Sequence, residues 1–226
     1  PLLALPAGPL SVAVGGEYRK DKMAARDDGL AARGELYRTD NGAQPVEAEA
    51  DVIEGFIEAV APILRDQFLA ESLEIEGAMR FSDYSSIGST LAWKAGGAWA
   101  PVEDIRFRVT RSKSVRAPNI IELYGPQSIG TLNIANDPCD ASQINLGSAT
   151  REANCRAFGV PVGWTDPAST LALTTVIGGN ADLTEETSKS WTFGGVITPR
   201  FVPGLRLSAD YWTIEIEDAI QTLDGN

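Results

Sequence analysis

The chain contains no histidine. That absence removes His-based acid–base catalysis, Ser-His-Asp triads, and His-ligated zinc or haem from its expected chemistry. Cationic side chains are scarce, with 19 Lys and Arg against 31 Asp and Glu, a formal net charge of −12. Nucleic acid is therefore not an expected partner, because phosphate binding needs clustered cations that release counterions. The acidity reads most simply as a solvated surface. No apolar run reaches the ~18 residues of a transmembrane helix, so a membrane role would have to be of the barrel type. The start at Pro1 carries no charged n-region and apolar h-region, which predicts no leader peptide.

Cysteine is nearly absent as well. Cys139 and Cys155 stand in NDPCDASQINLGSATREANCRAFG, without a CxxC arrangement and without the further Cys or His that a metal site would want. A pair bracketing a polar loop predicts a disulfide formed outside the cytoplasm; two unpaired thiols are the alternative. No metal and no cofactor is expected.

What is plentiful is turn chemistry: 22 Gly and 13 Pro scattered among 5 Trp, 5 Tyr and 7 Phe over 226 residues, a composition that favours many short strands over long helices. The strands themselves show as alternation with a period of two. In LSVAVGGEYR, Leu10, Val12, Val14 and Tyr18 oppose Ser11, Ala13, Glu17 and Arg19. In SLEIEGAMRF, Leu73, Ile75, Met79 and Phe81 oppose Glu74, Glu76, Ala78 and Arg80. LAWKAGGAW sets Leu91, Trp93 and Trp99 against Lys94, and IRFRVT sets Ile105, Phe107 and Val109 against Arg106 and Arg108. Near the end, Trp191, Phe193 and Ile197 share one side, as do Leu205, Leu207, Ala209 and Tyr211 opposite Arg206, Ser208 and Asp210. After Trp212 the phase flips, which indicates either a bulge or a strand that has left the zone where one side must be apolar. A seventh segment, DVIEGFIEAVAPIL, fits a strand or a short amphipathic helix.

Connections fall into two kinds. After Ile63, Trp99 and Ile197 they are short and rich in turn formers, whereas the stretches after Arg19 and after Arg116 far exceed the usual ~4–6 residues of a loop. The link from Ser82 to Ser89 is short. If strands run alternately up and down, the long connections share one end and the turns after Ile63, Trp99 and Ile197 share the other. The expected fold is all-β, an antiparallel up-and-down meander of about seven strands.

An antiparallel sheet with one apolar face usually packs that face on a second layer, and the chain has no convincing amphipathic helices or partner sheet to supply one. In a transmembrane barrel lipid takes that place, while the charged side faces a wet interior. Trp93, Trp99, Trp191, Tyr18 and Tyr211 fall near strand ends, as interfacial aromatic girdles do; ordinary core aromatics are the alternative.

Two blocks resemble the barrel of TonB-dependent receptors, of the type common in alphaproteobacteria and xanthomonads. The first, Phe81 to Pro126, contains Arg116-Ala117-Pro118-Asn119 and the pair Glu122-Leu123; the second, Gly178 to Ile220, contains a Gly-Asn-x-x-Leu run, a Glu-x-Ser run and Pro-Gly-Leu-x-x-x-x-Asp-Tyr. The resemblance implies an internal piece of an about 22-stranded barrel with a plugged lumen. It also implies residence in the outer membrane of a Gram-negative bacterium, with outer-membrane lipid, the plug domain and the remaining strands as partners. TonB would act through an absent N-terminal part. The implied activity is energy-driven import of a scarce small solute, a ferric siderophore or an oligosaccharide. Energy-coupling box, plug domain and terminal aromatic strand are not found, which predicts a fragment of a chain several times longer.

Candidate contacts to solute or plug are the charges of the polar side: Glu74, Glu76, Arg80, Lys94, Arg106, Arg108, Arg206 and Asp210. A ladder that neutralises itself across strands is the plainer reading of the same residues. The loop from Ala117 to Thr187 is the candidate recognition element, placed on the extracellular side by the resemblance, with Tyr124, Phe158 and Trp164 available to stack on a ligand. Glu74 and Glu76, roughly 7 Å apart along a strand, could suggest a glycosidase pair. Nothing in the sequence separates their acidities, so no enzyme is expected. A secreted all-β carbohydrate-binding module is the rival class; it does not explain why the long connections gather at one end.

Overall fold

The computed structural model describes residues 3–26, 29–33, 35, 45–133, 137–167 and 172–221. The chain divides into two compact units, one of 1–23, 48–123 and 181–220, the other of 24–47, 124–180 and 221–226.

The first unit opens with a small hairpin, β1 (Ala4–Leu5) and β2 (Gly8–Pro9). Long strands follow: β3 (Ser11–Ala25), then past the short helix α1 (Gly29–Ala32), β4 (Val46–Gln67), β5 (Ala70–Tyr84), β6 (Gly88–Val102) and β7 (Ile105–Arg116). After α2 (Ile120–Tyr124), the second unit's β8 (Ser128–Asn133), α3 (Arg151–Ala157) and β9 (Ala172–Ile177) intervene before β10 (Glu186–Ile197) and β11 (Leu207–Glu217). The long strands form one seven-stranded sheet in the order β11-β10-β7-β6-β5-β4-β3, so neighbours in the chain are neighbours in space except where the second unit is inserted. The expected seven-stranded meander is the observed fold.

The ambiguous segment DVIEGFIEAVAPIL lies within β4 and is extended throughout. Its backbone groups pair with β5 from Val52↔Tyr84 to Gln67↔Ala70, a ladder that a short helix could not offer. Pro62 lacks the N–H that a ladder needs, and the register shifts between Pro62 and Leu64, the bulge by which a strand tolerates proline. Instead of turning after Ile63, the strand runs on to Gln67 and turns at Phe68 and Leu69, with Leu69 at φ 57°.

Register separates the two faces. One row of cross-strand partners reads Pro62, Glu74, Ala98, Arg108, Gly194, Asp210. The adjacent row reads Ala61, Ile75, Gly97, Val109, Phe193, Tyr211. Among the described residues nothing covers the apolar face: Ile75, Met79, Phe81, Phe193 and Tyr211 are all more than half exposed, and no large side chain is fully buried. At about 25 cal/mol per Å² of apolar surface, such a face demands a partner other than water.

The phase flip on β11 is not a bulge. Pairing with β10 is unbroken from Ile197↔Leu207 to Thr187↔Glu217. The strand simply continues past the apolar zone, placing Trp212, Ile214 and Ile216 on the charged face and Glu215 and Glu217 on the other.

The second unit is held by local bonds. Cys139 and Cys155 form the expected disulfide, with Cα atoms 5.7 Å apart. Asp140 accepts hydrogen bonds from the Ser142 hydroxyl and amide and from the Asp166 amide, and the Ala141 amide donates to the Trp164 carbonyl at 2.8 Å. Arg156 donates to the carbonyls of Val160 and Pro161. β8 and β9 pair antiparallel, and Gly179 donates to the Gly125 carbonyl at their base.

Replacing both cysteines by serine should destabilise the bridged segment by about 3 kcal/mol, the chain-entropy value for a loop of this size, read as faster amide exchange in α3. The Ser142 hydroxyl, then the Asp166 and Ser142 amides, hold the Asp140 carboxyl below the usual carboxylate range. Its contribution is complete above the unfolded value of about 3.9 and is lost as pH falls through its lower folded value. Exchange at the Asp166 amide, corrected for intrinsic rate, should stay flat from pH 7 to about 5 and rise below about 4; Asp140→Ala should remove that pH dependence.

A cross-strand charged face as candidate site

Glu74 and Glu76 flank the outward-turned Ile75 on β5, Lys94 stands on β6, Arg106 and Arg108 on β7, and Asp210 on β11. The register brings them to one face, where Arg106 meets Glu74 at 3.4 Å, Lys94 meets Glu76 at 3.5 Å and Arg108 meets Asp210 at 2.6 Å. Two of these pairs reach over an intervening strand. Glu74 and Arg106 span β6, and Arg108 and Asp210 span β10.

Small residues make the reach possible. Ala98 lies between Glu74 and Arg108, and Gly194 between Arg108 and Asp210. A Cβ on Gly194 would stand 1.8 Å from Asp210 Oδ1, and one on Gly96 would stand 2.9 Å from the Val109 carbonyl oxygen and 3.1 Å from Glu76 Oε1. The charged face is therefore a ladder of long side chains lying across glycine gaps.

Glu74, Glu76, Glu103, Arg106, Arg108 and Arg206 line a recess of about 650 Å³. Its formal charges balance, yet Arg206 forms no ion pair among the described residues and offers free guanidinium donors. Such a wall can bind anionic or carbonyl-rich groups by charge-assisted hydrogen bonds. Glu74 and Glu76 each have their own cation, so the pair does not form an acid and base of contrasting environment.

Arg80 stands apart from that recess. It bonds Glu54 at 3.3 Å and lies over the Phe56 ring, 5.2 Å from its centroid, while the Ser82 hydroxyl donates to Glu54 at 2.5 Å. Glu54 and Ser82 were not among the sequence candidates. Glu54 is 8% exposed and sits in the segment whose strand character the sequence left open; its parity becomes readable only once β4 is extended. Also unforeseen is a row of hydroxyls on β7 and β10, with Ser112 and Ser190 2.7 Å apart, continuing to Ile214. The flipped phase after Trp212 was the available signal for this apolar edge.

The loop candidates belong to the second unit. Tyr124 ends α2 and is half-buried, Phe158 follows α3 and is 87% exposed, and Trp164 is half-buried. The Arg116–Asn119 motif has a structural task. Asn119 Oδ1 accepts from the Ile121 and Glu122 amides while Glu122 accepts from the Asn119 amide, a reciprocal cap on α2. Arg116 bonds both Glu122 and Glu186, tying the ends of β7 and β10 to the loop exit. Among the described residues no group of His, Cys, Asp or Glu could hold a metal ion.

An antiparallel meander with one exposed apolar face and one charged face is the wall of a β-barrel. The family model "TonB dependent receptor-like, beta-barrel" matches residues 4–226, and the chain belongs to that family. No curated protein matches. Among solved structures, a ferric enterobactin receptor (PfeA) variant from Pseudomonas aeruginosa in complex with enterobactin aligns over 95% of this chain and 25% of its own, at 14% identity and TM-score 0.60. The siderophore receptor PirA from Acinetobacter baumannii aligns over 93% of this chain and 25% of its own, at 17% identity and TM-score 0.55. At these identities the likeness is one of fold. The chain spans about a quarter of the length of these receptors.

A double-mutant cycle on Arg108 and Asp210, both partly exposed, should give a coupling of about 0.5–1 kcal/mol. In a Gly194→Ala background, where the new Cβ displaces the carboxylate, the coupling should fall to zero; an unchanged value would mean the pair does not cross β10 as described.

Proposed function

We propose that the chain supplies seven strands to the wall of a larger outer-membrane barrel that receives a scarce solute and imports it with energy passed through TonB. The observation that carries this reading is the segregation of faces: an uncovered apolar face opposite a laddered charged face, in a chain of this family. The apolar face meets outer-membrane lipid. The charged face meets the interior, where the ladder of Glu74, Glu76, Lys94, Arg106, Arg108 and Asp210, with Arg80 and Arg206, contacts the plug domain or the passing solute. The long connections lie on the extracellular side, and Tyr124, Phe158 and Trp164 take part in recognition there. TonB acts through parts of the receptor outside this chain.

A ferric siderophore is the favoured solute, because the receptors of like fold are named for ferric enterobactin or siderophores. Arginine donors suit the anionic oxygens of such chelates. A secreted carbohydrate-binding module is disfavoured, since it would leave the apolar face in water. The charged pairs suit binding, and no enzymatic role is proposed.

Cells relying on the intact receptor should accumulate labelled ferric enterobactin, and a protonophore should stop accumulation without stopping surface binding. Arg106→Gln with Arg108→Gln should lower uptake about tenfold, the effect of losing one or two charge-assisted bonds. Uptake indifferent to the protonophore would overturn the energy-coupled reading. Met79→Arg on the apolar face should cost about 2–4 kcal/mol in lipid vesicles, whereas Ala78→Arg on the opposite face should cost far less. Equal costs would remove the lipid-facing assignment.

A further inference from the structure

We propose that Arg111, Lys113 and Lys189 form a site for the phosphate of a lipid headgroup, on the apolar face at the end where the long connections lie. The inference rests on the lipid-facing reading of that face. Going toward the short turns, this face is apolar: Val109, Phe107 and Ile105 on β7, Phe193 and Ile197 on β10. Going the other way it changes within two residues to Arg111, Lys113 and Lys189, so the cations stand at the margin of the apolar band. That is the depth at which a lipid phosphate sits.

Arg111 is held in an unusual way. Its guanidinium lies between two indoles, 5.0 Å from the Trp191 ring centroid and 6.0 Å from that of Trp93. It is exposed, and among the described residues it forms no hydrogen bond or ion pair, leaving its planar fork of donors unspent. The indoles fix the group by cation–π attraction without neutralising it. A guanidinium so presented matches a phosphate bidentately.

The neighbouring charges are only partly compensated. Lys113 stands directly opposite Lys189, a like-charge pair that disfavours the sheet unless an anion lies between. Lys189 donates to Glu217 at 2.6 Å and faces Glu215 across the ladder, and Lys113 also feels Glu217. These two carboxylates offset part of the three positive charges, and the remainder centres on Arg111 and Lys113, which among the described residues have no carboxylate within ion-pair distance. A soluble anion would gain nothing from the apolar wall below; a lipid places its phosphate on the cations and its chains against Val109, Phe193 and Tyr211. A phosphate-bearing lipid is therefore the occupant the surface fits.

The test uses the intact receptor in neutral detergent, with its folded state checked by resistance to SDS before heating. Native mass spectrometry would compare retention of phosphatidic acid with that of diacylglycerol of the same acyl chains, which lacks the phosphate, with glycerol phosphate as soluble competitor. The wild type should retain phosphatidic acid preferentially. Arg111→Gln and Lys113→Gln should each lower that retention about fivefold, while Arg200→Gln, in the link at the other end, should leave it unchanged. A folded barrel with no preference, or variants that keep it, would overturn the site; displacement by glycerol phosphate alone would show a soluble-anion site instead. Failure of the membrane reading shows differently, as a protein that is soluble without detergent and never resists SDS.

Discussion

Everything in the first unit depends on the continuity of the cross-strand hydrogen-bond ladder. Because successive residues point to opposite faces, an unbroken register carries one row of positions across six strands without mixing apolar and charged side chains. A slip of one residue on β7 would send Arg106 and Arg108 to the side of Phe193 and deliver Phe107 to the charges. The two described register breaks, at Pro62/Leu64 and at Trp99/Val102, both lie next to short turns, where a bend disturbs fewest pairs.

The ladder explains why the charged face is a matter of arrangement more than of strength. Each ion pair is partly exposed, and such pairs contribute little individually. Their effect is geometric: they hold long side chains flat across the glycine gaps at Gly96 and Gly194, so the recess has a defined floor. The loop exit follows the same logic, with Arg116 joining two strands and a capped turn.

Much of this was legible in the sequence. Period-two alternation marked the long strands other than β4, and the eight charged candidates share one face because parity along a strand is a local property. Range was harder to read. Which charge meets which depends on register between segments as distant as Arg108 and Asp210, and no local pattern specifies it. Glu54 stayed hidden because Ile53, Phe56, Ile57 and Val60 fit a helix as well as a strand until β5 lies alongside. The direction of the change after Trp212 was visible, but its cause needed the unbroken pairing to β10. Within the long connection α2 is set by a cap and α3 is tied in by the disulfide, while β8 and β9 pair across a long insertion; all are too short to carry a periodic signal.

One feature of β4 reaches further than its place in the sheet. At 22 residues it is about twice the ~9–11 that a tilted strand needs to cross a bilayer. On the proposed membrane reading the surplus stands in water, held by ladder bonds and surface charge pairs such as Lys20–Glu49. Salt weakens that end by screening its exposed charge pairs. In that setting the strand loosens first at the end that lipid does not grip, giving the rim a mobility of its own.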